Sequence, residues 1–312
     1  MRIVVALGGN ALLRRGERPD AAIQRKHVAE VAPALAKVAR DHELVVVHGN
    51  GPQVGMLAME SDADPALSAP YPLSDLVAET QGLIGLWLQQ EMVNAGSRQV
   101  ACLITQTVVD PGDPAFDTPS KFIGPLYDEE TAADLARRHD WTIRRDGTGW
   151  RRVVASPKPQ RIVEIAIAEA LLKTGVDVVL GGGGGVPVVD TLEGMRSVQA
   201  VVDKDHVAAM CAEVLEADLF VVLTDVPAVM TDFGTDHQRS IGNVTAEVLE
   251  QLDFPAGSMG PKVQACCHFV RTTGRRAAIG ALDELALVIS GKAGTQIVLE
   301  STPELRRLVE VH

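Results

Sequence analysis

The chain has 312 residues and a mass of 33.2 kDa, with 46% hydrophobic, 22% charged and only 4% aromatic residues. This is ordinary globular composition with an aliphatic core, long enough for one large domain or two small ones. A formal net charge of −12 argues against nucleic acid or anionic membrane as a partner, so an anionic substrate needs locally placed cations.

The first predicted element is a strand, IVVAL (3–7), which runs into Gly8-Gly9-Asn10. That break comes too early for a signal peptide. Asp20 is the expected N-cap of a helix over 20–40, with Ile23, Val28, Val31, Leu35 and Val38 on one face and Pro33 as a kink point. A second strand, LVVVH (44–48), stops in the turn GNGPQVG. A helix over 75–95 follows, with Ser74 as its N-cap and Gly96 as its stop, and then a strand over 100–105.

The alternation breaks at 110–157, where PGDPAFDTPSKFIGP and RRDGTGWRRVVASPKP are too rich in Pro, Gly and Arg for a layer of the sheet. This segment reads as a lid or protruding subdomain. Beyond it the pattern predicts a helix over 160–174 and a strand over 176–180 that enters five consecutive glycines. Next come a helix over 206–217, a strand over 219–224, a helix over 261–273 and strands over 277–282 and 295–300. Thr302-Pro303 opens a last short helix. Strands alternating with helices mean an α/β fold with a mostly parallel sheet covered on both faces.

No apolar stretch is long enough to span a bilayer. The cysteines Cys102, Cys211, Cys266 and Cys267 contain no CxxC. Together these features predict a soluble, reduced, cytoplasmic protein.

Four glycine-bearing or short turns follow the strands ending near residues 7, 48, 180 and 224. In a parallel sheet they share the carboxyl edge, where open α/β folds bind ligands. One such turn is explained by backbone conformation alone; four at one edge point to an anion held by main-chain N–H groups. No P-loop, GxGxxG fingerprint, GxSxG elbow or HExxH helix is present, and the histidines are scattered. Only eight lysines occur, and three of them sit in unusual company: Lys121 in TPSKFIGP, Lys204 in VVDKDHVA and Lys262 in GSMGPKVQA. With Pro261 as N1, Lys262 falls in a helix's first turn, where a cation opposes the macrodipole unless an anion binds. Asp205 is either a helix cap or an orienting partner for the lysines. Lysines of this kind stabilise a transferring phosphoryl group as point charges.

VALGGNALLRRGE, VVVHGNGPQVG, AETQGLIG, TQTVVDPGDPAF, SKFIGPLYDE, WRRVVASPKP, GGGGGVPV, VDKDHVAA, LTDV and GSMGPKVQA follow one another from about residue 3 to residue 299. In that order they resemble carbamate kinase, of the amino-acid kinase superfamily. HGNGPQVG, DPxDPAF and GSMGPK are specific to it, whereas the polyglycine and LTDV elements are shared more widely. The resemblance implies a three-layer αβα sandwich with a mostly parallel open sheet, forming a single domain over 1–312 that works as a homodimer. Residues 1–195 are expected to hold carbamate or carbamoyl phosphate, with a protruding subdomain at about 110–157. Residues 196–312 are expected to hold ATP or ADP, with Mg²⁺ bound mainly through the nucleotide phosphates and no metal site on the protein itself.

The implied catalytic groups are Lys121, Lys204, Lys262 and Asp205. Gly8, Gly9, Asn10, Gly49, Asn50 and Gly51 are implied at the acceptor site. Gly182, Gly183, Asp225, Met230 and Lys262 are implied at the nucleotide. Carbamate is already an anionic nucleophile, so no strong base is required. The chain departs from the family at DVPAVM (225–230, usually DVDGVY), at Phe233 where Tyr is common and at Phe122 where Pro usually follows the lysine. The superfamily's lysine before the first Gly-Gly is replaced here by Ala6 and Leu7; Lys121 falls where the family supplies one from the subdomain. The alternatives are a kinase of another small carboxylate or a catalytically silent nucleotide-binding protein. A nicotinamide-dependent oxidoreductase is disfavoured by the missing fingerprint.

Overall fold

The computed structural model describes residues 1–300 apart from Arg15 and Ala256, and of Asn10 only the backbone. The helix expected at Thr302-Pro303 lies outside the described residues. From the amino terminus the chain forms β1 (Arg2–Leu7), α1 (Ala21–Asp41), β2 (Glu43–His48), α2 (Gly51–Ala63) and α3 (Leu73–Asn94). It continues with β3 (Val100–Cys102), β4 (Gln106–Val109), β5 (Lys121–Tyr127), α4 (Glu129–His139), β6 (Ile143–Asp146) and β7 (Gly149–Val154). Then come β8 (Pro159–Ile162), α5 (Ile165–Lys173), β9 (Asp177–Val179), β10 (Val186–Thr191), β11 (Gly194–Ser197) and α6 (Lys204–Val214). The remainder is β12 (Leu219–Thr224), β13 (Met230–Thr231), β14 (Arg239–Ser240), β15 (Asn243–Thr245) and α7 (Ala246–Glu250), followed by α8 (Met259–Thr273), β16 (Arg276–Ala281), α9 (Leu285–Ile289) and β17 (Thr295–Val298).

The main sheet has the order β15-β17-β16-β12-β1-β2-β9-β3. Its central strands are parallel, and β17 runs antiparallel to β16. Because side chains alternate along a strand, Val4 and Ala6 of β1 enter the core under α5, α6 and α8, whereas Ile3, Val5 and Leu7 enter the core under α1, α3 and α9. Three layers result. The aliphatic composition serves this arrangement, since both faces of nearly every central strand are fully buried.

A smaller sheet, β11-β10-β4-β8, packs beneath α2 and α3. Within residues 110–157, β5, β7 and β6 form a third, antiparallel sheet backed by α4, and Ile123 and Val154 of this sheet share a core with α2 and the smaller sheet. Asp128 caps α4 by accepting from Thr131 N–H, and Asp140 ends it at φ +54°.

Several expectations are corrected by local chemistry. Pro159–Ile162 is a strand and the helix starts only at Ile165, because the polar PQR stretch finds a partner in β4. The run at 100–105 splits, with β3 in the main sheet and β4 in the smaller one. GNGPQVG is more than a turn: Gly51 and Pro52 open α2, where the missing N–H of proline costs nothing. Leu73 starts α3 after Pro72, so Ser74 lies inside the helix. Pro261 is the third residue of α8, still among the positions without an N–H partner. Asp203, not Asp205, caps α6. Pro33 sits within α1 without ending it.

A cavity of about 780 Å³ opens at the amino edge of the sheet beside Arg2, Arg98, Asp177 and Asp218. Burial pushes the Asp177 carboxyl up to about 7, partly offset by a hydrogen bond from Leu44 N–H. A carboxyl raised in the folded state favours folding below the ordinary carboxylate range, and that contribution is lost as pH rises through about 7. Asp177→Asn removes the penalty. Between pH 5 and pH 8 the wild-type melting temperature is therefore expected to fall about 2–4 °C more than that of Asp177→Asn, as read by thermal unfolding. Parallel curves would contradict the burial of this charge.

Candidate active site

Strand order alone brings the four turns together. β12, β1, β2 and β9 are consecutive and parallel, so the residues after each emerge side by side. Gly8 lies against Leu223 and Thr224, and a Cβ on Gly8 would stand 3.1 Å from Leu223 O. A Cβ on Gly49 would meet Gly9 Cα and N at 3.4 Å and Lys204 Cδ at 3.5 Å. Gly183, at φ +63°, faces Asn50 so closely that a Cβ would fall 2.1 Å from Asn50 Nδ2. Gly184 presses on Val202, just before α6, where a Cβ would come within 2.1 Å of Val202 O. Glycine is needed at 183 and 184 for both space and left-handed backbone. Gly51 differs, because a Cβ there would meet no protein atom within 4 Å.

Side chains fix this frame. Asn50 is buried and donates from Nδ2 to Thr80 Oγ1 at 2.8 Å. The Gln81 amide pairs with both backbone groups of Thr105, at 2.8 and 3.1 Å. Thr105 Oγ1 then accepts from Gly181 N–H at 2.9 Å, and Thr107 Oγ1 donates to Gly184 O at 2.8 Å. Sequence reading assigned no role to Thr80, Gln81, Thr105 or Thr107. Their signal was polarity inside an apolar helix and directly after a strand.

His48 is buried, with Nδ1 donating to Gly49 O at 2.9 Å and its other edge wedged against Gly182. Burial, with Lys204 adding to it, pushes its imidazole down to about 4 despite that hydrogen bond. His48 is thus a neutral spacer and supplies no base. Burial likewise raises Cys266, beside the lysine cluster, well above the ordinary thiol range, so it supplies no nucleophile.

The cations converge over these turns. Lys204 is the first residue of α6, and its Nζ lies 2.5 Å from Asp205 Oδ1. Lys262 Nζ lies 3.5 Å from the other oxygen, Asp205 Oδ2, and 3.2 Å from Ser258 O. Side-chain exposure is only 12% for Lys204, 16% for Lys262 and 5% for Asp205, so these are not solvated surface pairs. Lys121 arrives from the subdomain and holds Asp203 Oδ2 at 2.8 Å. Burial opposes the Asp203 charge. The Lys121 ammonium, by charge and hydrogen bond and with help from His206 and Lys204, outweighs it and keeps the carboxyl far below its usual range. Three ammonium groups face two carboxylates, leaving one net positive charge beside the strand-end turns in an acidic chain.

Asp225 follows β12, accepts from Thr224 Oγ1 and lines a cavity of about 700 Å³ with Ala11 and Leu282. Met230 stands in a separate ribbon, paired with Ser240, and Phe233 is largely exposed. Phe122, in the usual proline position, is exposed and carries the Arg151 guanidinium 5.8 Å above its ring. Gly182 and Gly183 are buried behind His48 and Asn50. The backbone of Asn10 lies in the short helical turn after β1, and its side chain is outside the described part. No cluster of three or more His, Cys, Asp or Glu suited to a metal occurs among the described residues.

The model of the amino acid kinase family matches residues 1–281. The carbamate kinase of Rhizobium meliloti is 46% identical over 100% of this chain and 97% of its own. The chain belongs to the amino acid kinase family, among the carbamate kinases. The carbamate kinase of Haemophilus influenzae is 47% identical over 95% of this chain and 96% of its own. The solved carbamate kinase from Giardia lamblia bound to AMP-PNP superposes with a TM-score of 0.89 at 35% identity, covering 96% of this chain and 98% of that one. Likeness to carbamate kinases therefore spans the three-layer sheet, the subdomain and the lysine-bearing helices alike.

Proposed function

We propose that the protein catalyses reversible phosphoryl transfer, ATP + carbamate ⇌ ADP + carbamoyl phosphate. The observation carrying this reading is the seating of Lys204 and Lys262 on the two oxygens of Asp205, with the Lys204 stem against Gly49 and Lys121 alongside on Asp203. In the forward direction a carbamate oxygen attacks the γ-phosphorus and the bond to the β–γ bridging oxygen breaks, so ADP leaves with the electron pair. No proton moves, which suits a site whose buried histidine, His48, is neutral and turned into the frame. Catalysis then rests on positioning and charge stabilisation.

Main-chain donors at Gly9, Asn10, Asn50 and Gly51 would hold the acceptor, whereas Gly8 and Gly49, expected from the sequence to donate as well, already give their N–H groups to Leu223 O at 3.1 Å and Leu7 O at 3.2 Å and would only shape the turns. Lys121 and Lys204 would meet the transferring PO₃ unit. Lys262, Asp225 and Met230 would serve the nucleotide half, whereas Gly182 and Gly183, expected there from the sequence, are buried against His48 and Asn50 and would act by shaping the frame. Mg²⁺ would enter on the nucleotide phosphates and neutralise their charge. Supply of ATP from carbamoyl phosphate in arginine catabolism, a cytoplasmic setting and a homodimer complete the reading. An exposed apolar row on α3, Leu83, Leu86 and Val93, supports the second copy.

Purified protein given Mg-ADP and carbamoyl phosphate is expected to form ATP. Phosphorylation of N-acetylglutamate alone would transfer the assignment to another acceptor, and nucleotide binding without ATP formation would mark a silent relative. Lys121→Ala is expected to lower turnover by about 10²–10³-fold, as for loss of one transition-state donor. Its melting temperature should fall by a few degrees with the fold retained, because Asp203, only 14% exposed, loses its partner.

A further inference from the structure

Asp203 joins two parts of the chain that are far apart in sequence. One carboxylate oxygen, Oδ1, accepts from Asp205 N–H at 2.9 Å and so is fixed by the first turn of α6. The other, Oδ2, receives the Lys121 ammonium at 2.8 Å. The backbone makes the same junction beside it. Lys121 pairs with Val154 across β5 and β7, and the next residue, Ala155, bridges to Ala200 and accepts from Val201 N–H at 3.0 Å. Three residues after Ala200 the chain reaches Asp203. The ion pair therefore closes a ring at the root of the subdomain, far along β5 from its outer end at Tyr127.

From this ring we propose that Asp203 is the positioning residue for Lys121: it holds the subdomain's ammonium against the α6 amino terminus, next to Lys204 and Asp205. Lys121 is thereby fixed at the root of the subdomain from both the β5 and the α6 side. The inference rests on the phosphoryl-transfer reading above for its kinetic consequence, whereas the clamp itself rests on geometry alone.

Asparagine at 203 still accepts from Asp205 N–H but no longer balances the lysine's charge. In the full chain, Asp203→Asn is expected to lower kcat for ATP formation about 10–100-fold, as misplacement of a catalytic group does, with KM for ADP and carbamoyl phosphate within about threefold of wild type. Lys121→Ala/Asp203→Asn should be no slower than Lys121→Ala alone, a non-additivity that a merely structural defect would not produce. Independently of activity, a succinimidyl ester read by peptide mass spectrometry should acylate Lys121 several-fold faster in Asp203→Asn, with exposed Lys158 unchanged. Asp203→Ser, also a capping residue, stands in if the asparagine variant fails to fold. Wild-type kcat, a multiplicative loss in the double variant or unaltered labelling of Lys121 would overturn the proposal. If the wild type forms no ATP, the functional reading fails, and the labelling result by itself upholds or overturns the clamp.

Discussion

Lys204→Met is expected to abolish most of the activity while leaving the protein folded. Methionine keeps an unbranched stem over Gly49 and removes only the ammonium. Rates of ATP formation should fall about 10³-fold, the scale seen when a cation or donor facing a transferring group is lost. Stability should change little, because Lys262 remains on Asp205 and the buried carboxylate is not left alone. Initial rates and thermal unfolding of the same preparation separate the two effects. A rate within tenfold of wild type would remove Lys204 from the chemistry.

Gly183→Ala should do the reverse and damage the frame itself. The residue stands at φ +63°, and a methyl group there would collide with Asn50, which is buried and tied to Thr80. Left-handed strain and displacement of Asn50 together should cost about 3 kcal/mol or more. Activity should be lost with stability. Adding Asn50→Ala removes the collision and should recover part of the stability, leaving about 1–2 kcal/mol for the backbone conformation. A single Gly183→Ala variant that unfolds with the wild type would show that the turns are not packed as described.

The sequence made the layered fold legible because its strands are buried on both faces and therefore appear as continuous apolar runs. The carboxyl-edge turns were readable for the same reason, each being where such a run stops. PQRI (159–162) and QTVV (106–109) were harder, since each belongs to a small sheet with mixed burial and shows no long run. The lysine positions stood out by rarity, but their pairing did not. Nothing in VVDKDHVA distinguishes the aspartate that caps α6 and takes Lys121 from the one that takes Lys204 and Lys262. That distinction comes from a contact across 82 residues of chain. His48 was equally silent, because its neutrality follows from surroundings that only the fold assembles.

One consequence follows from α2. Its first residue, Gly51, follows the Gly49–Asn50 turn, while Gly55 packs so tightly on Gly124 of β5 that a Cβ would lie 3.1 Å from Gly124 Cα. Its last turn meets the subdomain again, where Asp62 Oδ1 lies 2.8 Å from His139 Nε2. A rod braced at both ends in this way is a mechanical strut: it fixes the height of the β5–β7 sheet above the Gly49–Asn50 turn, so the spacing between the two is set by the length of one helix.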